Sequence, residues 1–389
     1  MKILIINPPR VDGYPVVREE RYEHKDMGSV YPPLNLLYTA AVLEKDGHDV
    51  SLIDANGFDI PFDELAGKMD EFRPGAVITR CGFDTQEQDV KVLEYAKRKF
   101  NARTIIRNKI ISDVEGLKKS FLLKYRFIDI FINYETDLLI SNVIKGLDRD
   151  WAAVRGISFL KGEEMVTTEG ISIDAMNIDN QPFPAYHLLP NLKPYHTGVL
   201  DPPFALVITS RGCPFQCSFC AYAKMGCRIR KAENVLEELK YLRKKFGLKS
   251  FLFFDDLLGF NKKEFIRLME LMIREKLKLK WVSCTRANLI TDEMLGLMKK
   301  AGCREMAIGI ESGSEKILKS IRKGITLDDI RQAAKLLHKH RILFYGMAII
   351  GLPGETRETI EETIRFIREV DPFYTQFCFA TPFPNTGIY

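Results

Sequence analysis

The sequence predicts an α/β protein in two parts. Residues 1–150 read as an open, doubly wound parallel sheet of the Rossmann or flavodoxin type, and residues 204–389 as a partial (β/α)6 barrel. Three observations predict this. Short apolar runs alternate with amphipathic stretches in both parts, and that alternation lays helices over the faces of parallel strands. Between them, residues 151–203 break the rhythm with short pieces and clustered prolines. No apolar run approaches the ~18 residues that would span a bilayer, so the strands and helices must pack on one another.

The first strand is expected over 2–7, where Asn7-Pro8-Pro9 ends the run Ile3-Leu4-Ile5-Ile6. A helix over 34–45 ends at Asp46-Gly47, in C-cap position. Strands follow at 49–54, 76–79, 103–107 and 127–132. Helices over 62–72, 86–100, 114–124 and 136–146 separate or close them, the first stopped by Pro74. Each of the four connections between five parallel strands needs a crossover helix. Residues 154–178 then alternate in short pieces. Gly156-Ile157-Ser158-Phe159-Leu160 and the turn Lys161-Gly162-Glu163 predict a small hairpin. Asn180-Gln181-Pro182-Phe183-Pro184, Pro190 and Pro202-Pro203 form a connector.

In the second part, strands are expected over 204–209, 251–255, 281–285, 305–310, 343–350 and 375–380. Helices are expected over 232–246, 263–275, 292–301, 315–320, 327–338 and 356–370. Thr326 with Asp328 and Asp329 has the charge of a helix start. Six βα units make part of a barrel, and in such folds chemistry gathers at the carboxyl ends of the strands.

Composition is that of an ordinary globular chain: 389 residues, 46% apolar, 28% charged, net charge +5. Lys240, Arg243, Lys244 and Lys245 cluster, but Glu233, Glu237 and Glu238 precede them by a turn or two. That is a solvated helix face, and it argues against a nucleic-acid surface. The run 3–6 is too short for a secretory signal, so a cytoplasmic protein is expected. Its eight cysteines then read as thiols and ligands rather than disulfides.

Three of them sit in Arg211-Gly212-Cys213-Pro214-Phe215-Gln216-Cys217-Ser218-Phe219-Cys220, just beyond the strand at 204–209. A Cys-x3-Cys-x2-Cys loop can wrap one face of an iron–sulfur cube. Such cubes normally take four thiolates, so three leave one iron open for chemistry. A structural zinc site would want a fourth ligand, usually in a second Cys/His pair, and Cys227 has no paired partner in sequence. Buried thiols fit a turn-rich polar loop poorly. Further strand exits supply polar groups. Asp255-Asp256 closes an apolar strand, where two carboxylates are costly unless they bind something; a helix N-cap is the lesser alternative. Arg286 follows the third strand, suited to a carboxylate or to a surface ion pair. Gly309-Ile310-Glu311-Ser312-Gly313 ends the fourth, and Gly351-Leu352-Pro353-Gly354-Glu355 the fifth, where glycines let a ligand near the backbone.

The cysteine spacing, with Phe219 before its last member, resembles the signature of the radical S-adenosylmethionine (radical SAM) superfamily, over about residues 204 to 389. The resemblance implies a 4Fe–4S cluster on Cys213, Cys217 and Cys220. Its open iron would chelate SAM, and reduction would cleave SAM to methionine and a 5′-deoxyadenosyl radical. It implies SAM contacts at Asp255 or Asp256 (amino group), Arg286 (carboxylate), Glu311 and Ser312 (ribose), and Gly351 and Pro353 (adenine side). It also implies an electron donor such as ferredoxin or flavodoxin.

Residues 3–9, 32–38 and 47–50 resemble the cobalamin-binding domain of one radical SAM subgroup, which includes C-methyltransferases and a ring-forming cyclase of chlorophyll synthesis. Such domains seat the corrinoid at the carboxyl edge of the sheet. The cobalt-ligating run Asp-x-His-x-x-Gly is absent. Ile106-Arg107-Asn108-Lys109-Ile110 and Asn133-Tyr134-Glu135-Thr136 stand where the subgroup has glycine-rich loops. The expected activity is therefore methylation or another C–H functionalisation of a small-molecule, lipid or peptide substrate. A radical rearrangement or cyclisation without cobalamin is the alternative. A transfer-RNA methylthiotransferase would carry further cluster cysteines in the first part, which holds only Cys81. A non-catalytic corrinoid or partner-binding module would not need the cysteine triplet.

Overall fold

The computed structural model describes residues 1–19, 23–25, 28–172, 176–223 and 225–389. The chain is α/β, with parallel sheets, and divides into two units. They are Met1–Ile173 with Asn180–Val199, and Asp174–Asp179 with Leu200–Tyr389.

The first unit carries β1 (Lys2–Asn7), β2 (Val16–Arg18), β3 (Glu23–Lys25), β4 (Asp49–Asp54), β5 (Ala76–Arg80), β6 (Arg103–Arg107), β7 (Ile130–Ile132), β8 (Ile157–Lys161) and β9 (Glu164–Thr167). Seven of these form one sheet in the order β4-β1-β5-β6-β7-β8-β9. The pairings from β4 to β7 are parallel. Strands β1 and β5 are buried along almost their whole length, with apolar runs over residues 3–6 and 76–78. Strands covered on both faces are continuously apolar for that reason. The chain leaves β1 for β4 on one side and returns to β5 on the other, so the switch point of the sheet lies at β1. There Asn7 and the hydroxyl of Tyr195 each donate to Asp54 at 2.7 Å. Arg18 grips Asp89 with both arms of its guanidinium, at 2.7 and 2.9 Å.

The hairpin expected within 154–178 exists, at 157–167, but it extends the first sheet. β8 runs antiparallel to β7, with Phe131 facing Ser158, and β9 pairs with β8. Pairing satisfies the open edge of the short β7. The ladder β2–β3 has no counterpart in the sequence reading.

The second unit carries β10 (Phe204–Val207), β11 (Ser210–Arg211), β12 (Arg228–Ile229), β13 (Ser250–Phe253), β14 (Lys280–Thr285), β15 (Cys303–Glu311), β16 (Leu343–Ile350) and β17 (Tyr374–Phe379). Six of them form a wholly parallel sheet in chain order, β10-β13-β14-β15-β16-β17. Four of the helices between them start on side-chain caps. Asn261 and Thr291 accept from the backbone, and Thr326 and Thr356 close capping boxes. The helix Ala232–Phe246 ends on Gly247 in the left-handed conformation. All six carboxyl ends therefore lie along one edge. The first strand is two residues shorter than the expected 204–209, because Thr209 and Ser210 leave the ladder to bond Asp255.

Candidate active site

The cysteine loop starts where β10 ends. Gly212 turns the chain at φ +93°. A side chain there would run into the carbonyl of Gly226, so only glycine permits the close approach. The short antiparallel ladder β11–β12, with Ser210 opposite Ile229 and Arg211 opposite Arg228, closes the loop at its base. Within it, Cys220 N–H donates to the Cys217 carbonyl at 3.2 Å, and Tyr222 N–H donates to the Cys220 sulfur at 3.4 Å. Ser218 N–H reaches the Ile321 carbonyl at 2.8 Å, fixing the loop to the turn after the helix Glu315–Ser320. Cys217 is buried, and Cys213 and Cys220 are half-buried. Among the described residues no three His, Cys, Asp or Glu side chains converge to hold a single metal ion. A cube does not ask for that, because each thiolate binds a different corner iron.

Both expected acidic residues reach this loop, in a role the sequence did not suggest. One oxygen of Asp255 accepts from Thr209 N–H at 2.9 Å, the Thr209 hydroxyl at 3.0 Å, the Ser210 hydroxyl at 2.8 Å and Ser210 N–H. Asp256 accepts from Gly212 N–H at 2.8 Å. The two carboxylates thus organise the backbone that enters the cysteine loop. Burial pushes the Asp255 carboxyl up to about 7 against the pull of these donors.

Arg286 follows β14 and is 5% exposed. Its Nη1 donates to the Cys217 sulfur at 3.5 Å and its Nη2 to the carbonyls of Lys323 and Gly324. Its Nε faces Asn288 at 3.3 Å, and the guanidinium carbon lies 3.7 Å from the centre of the Phe215 ring.

At the end of β15 the register shifts between Gly309 and Glu311, and Glu311 adopts φ +58°. Its carboxylate meets Lys323 Nζ at 2.6 Å, both side chains being buried. A Cβ on Gly309 would press into this pair. Lys323 Nζ also stands 5.9 Å from the Phe219 ring centre. Ser312 departs from expectation. It is fully buried, with its hydroxyl 3.1 Å from that of Thr363 and accepting from Ser314 N–H. It therefore anchors the strand end to the helix Arg357–Val370. After β16, Gly351 at φ +90° and Pro353 are exposed. Lys323, Thr209 and Ser210 escaped the sequence reading, because their partners lie 12 to 46 residues away. Cys227 lies against the loop, its thiol 3.5 Å from the Gly212 carbonyl and pushed up to about 11, chiefly by burial.

Three cysteines thus lie on a clipped loop at the carboxyl edge of a parallel βα sheet, with acidic and basic groups beside them. The sequence profile of the Radical SAM superfamily matches residues 207–367. An uncharacterised methyltransferase of Pyrococcus horikoshii is 33% identical over 399 residues, spanning 100% of this chain and 82% of that protein. The anaerobic magnesium-protoporphyrin IX monomethyl ester cyclase of Cereibacter sphaeroides is 28% identical, over 94% of this chain and 61% of the relative. The methyltransferase TsrM from Kitasatospora setae, solved with cobalamin and a 4Fe–4S cluster bound, shares the fold. Its TM-score is 0.77 at 17% identity, covering 100% of this chain and 73% of that one. The chain belongs to the radical SAM superfamily. It is an enzyme of that superfamily, whose cofactors are SAM and a 4Fe–4S cluster. Among the described residues no helix is long and apolar enough to cross a membrane.

Proposed function

We propose that this enzyme cleaves SAM reductively at a cluster held by Cys213, Cys217 and Cys220, and that the product radical serves methylation of an unactivated carbon. On this reading the second unit is a partial (β/α)6 radical SAM barrel, and the first a cobalamin-binding-like Rossmann domain. The observation that carries it is the cysteine loop, closed by β11–β12 and tied by Asp256 to the same strand edge as Glu311 and Gly351. When bound, the cluster supplies the electron that breaks a carbon–sulfur bond of SAM, and a corrinoid supplies the methyl carrier. The chain's own residues set the stage. Asp255 and Asp256 hold the loop entry, and one of them would meet the amino group of SAM. Glu311, fixed by Lys323, offers its carboxylate to the ribose hydroxyls. Gly351 and Pro353 line the adenine, and Phe219 shields the cluster from water. A ferredoxin or flavodoxin delivers the electron.

Methylation is favoured by the relatives, which include the Pyrococcus horikoshii methyltransferase. The first unit fits a corrinoid at one exit. Thr136 opens the helix Thr136–Gly146 directly beyond β7, and its buried hydroxyl has no partner among the described residues. A donor at a helix start, on the carboxyl edge, suits the amide-rich rim of a corrinoid. This unit has no Asp-x-His-x-x-Gly run. The next exit supports a second reading. At the end of β6, Arg107 and Asn108 are buried and bond the Ile132 and Cys81 carbonyls, where the subgroup keeps glycines. A filled exit favours a corrinoid-free ring closure or rearrangement.

Anaerobic reconstitution tests both. Reduction with SAM present should release 5′-deoxyadenosine, and none from an iron-replete sample overturns the catalytic reading. Growth with cobalamin should give a corrinoid spectrum after purification; its absence at saturating ligand selects the second reading.

A further inference from the structure

Arg286 is a buried cation, 5% exposed, and none of its partners among the described residues is a carboxylate. Its partners are two carbonyls, one amide oxygen, one aromatic face and one sulfur. Leaving a charge buried and unbalanced is costly unless something anionic completes the site. A guanidinium has five N–H donors. Nε is spent on Asn288, both Nη2 hydrogens on Lys323 and Gly324, and one Nη1 hydrogen on Cys217. One donor remains. A bidentate clamp on a carboxylate needs two parallel N–H groups, and neither edge of this guanidinium still has both. The stack on Phe215 removes one face from further use. The expected post of Arg286, on the carboxylate of SAM, is thus largely closed. The sulfur of Cys217 is what it faces.

We propose that Arg286 is a positioning residue for the cluster. Its Nη1–H donates to the Cys217 thiolate, and its charge is balanced by the anionic thiolate-ligated cube instead of by SAM. It holds the loop 213–220 against the turn at 323–324 and raises the potential of the cluster. This rests on the cluster assignment made above. The sign follows from charge. Adding an electron makes the cube more negative, so a nearby cation and a hydrogen bond to its sulfur favour the reduced state. Removing them favours the oxidised one.

The test uses the anaerobically reconstituted full chain, with Arg286→Gln and Arg286→Lys beside the wild type. Iron per chain, the midpoint by mediated redox titration and SAM affinity by calorimetry are measured for each. Arg286→Gln should keep its cluster, with the reduced-to-oxidised ratio at fixed poise about tenfold lower, which is ~59 mV for one electron. Arg286→Lys keeps the charge but loses the fork, and should fall between. SAM affinity should change less than about threefold in both. An unmoved midpoint with SAM binding weakened tenfold would make Arg286 a SAM ligand and overturn the proposal. An unmoved midpoint with unmoved affinity would reduce it to packing and overturn it too. If Arg286→Gln fails to fold or to take up iron, Arg286→Lys decides by the same two numbers. A wild type that takes up no iron ends the cluster assignment itself, and this proposal with it.

Discussion

Glu311 holds a left-handed backbone conformation, φ +58°, that costs a non-glycine residue about 1–3 kcal/mol. Such strain persists only where its surroundings fix it. Here the fixture is Lys323 at 2.6 Å, with Gly309 leaving room for both. Neither charge is solvated, so breaking the pair on one side strands the other. Glu311→Gln should therefore cost about 3 kcal/mol of unfolding free energy. Adding Lys323→Met should restore part of it, because the stranded ammonium is gone. Urea unfolding of the two single variants and the double gives the coupling. Strict additivity would show that the pair is not a unit. The sequence displayed Glu311 through its Gly-Ile-Glu-Ser-Gly context, but it could not display Lys323. The turn that brings Lys323 back to the strand end leaves no periodic trace.

At the scale of elements, the long apolar runs were legible and the short ladders were not. The strand expected over 343–350 matches β16 residue for residue, and 281–285 is β14 less its first residue. Period-two burial and helix caps announce such elements. The ladder β11–β12 is two residues on each side, too short for any pattern, yet it decides where the cysteines lie. The same limit explains Asp255 and Asp256. Their place on a strand exit was readable, but their partners, Thr209, Ser210 and Gly212, depend on how the loop returns. Closure of that ladder hinges on Gly212, where φ is +93° and the Gly226 carbonyl abuts the α-carbon. Gly212→Ala should leave far-ultraviolet circular dichroism unchanged and lower reconstituted iron per chain several-fold. A full complement of iron in that variant would separate the ladder from cluster assembly.

For the whole molecule, the buried acids set how stability depends on pH. Burial is the leading cause that lifts Asp255 from 3.8 to about 7 and Glu305 from 4.5 to about 7. Glu305 lies near the start of β15, where the Tyr374 hydroxyl reaches both its oxygens at 3.3 Å. Asp54 and Glu238, also buried, shift upward too. Between about pH 5 and 7 the folded chain keeps protons on Asp255 and Glu305 that the unfolded chain has already released. The unfolded state then binds fewer protons, so stability falls as pH rises, by up to ~1.4 kcal/mol per pH unit for each group. The contribution is fully present below about pH 4 and is lost as pH passes 7. Glu87, Asp292 and Glu369 are shifted downward by cationic partners, so their contribution is lost only as pH falls below the ordinary carboxylate range. The two windows therefore do not overlap. Glu305 is the cleaner test, because it stands apart from the cysteine loop. Glu305→Gln keeps a group that can bond Tyr374 but cannot titrate. Unfolding free energies of the cluster-free protein, measured anaerobically from pH 5 to 8, should fall with pH in the wild type and distinctly less steeply in Glu305→Gln. Parallel curves would mean that Glu305 is ionised in the folded chain throughout, and that burial at the foot of β15 is too wet to hold its proton.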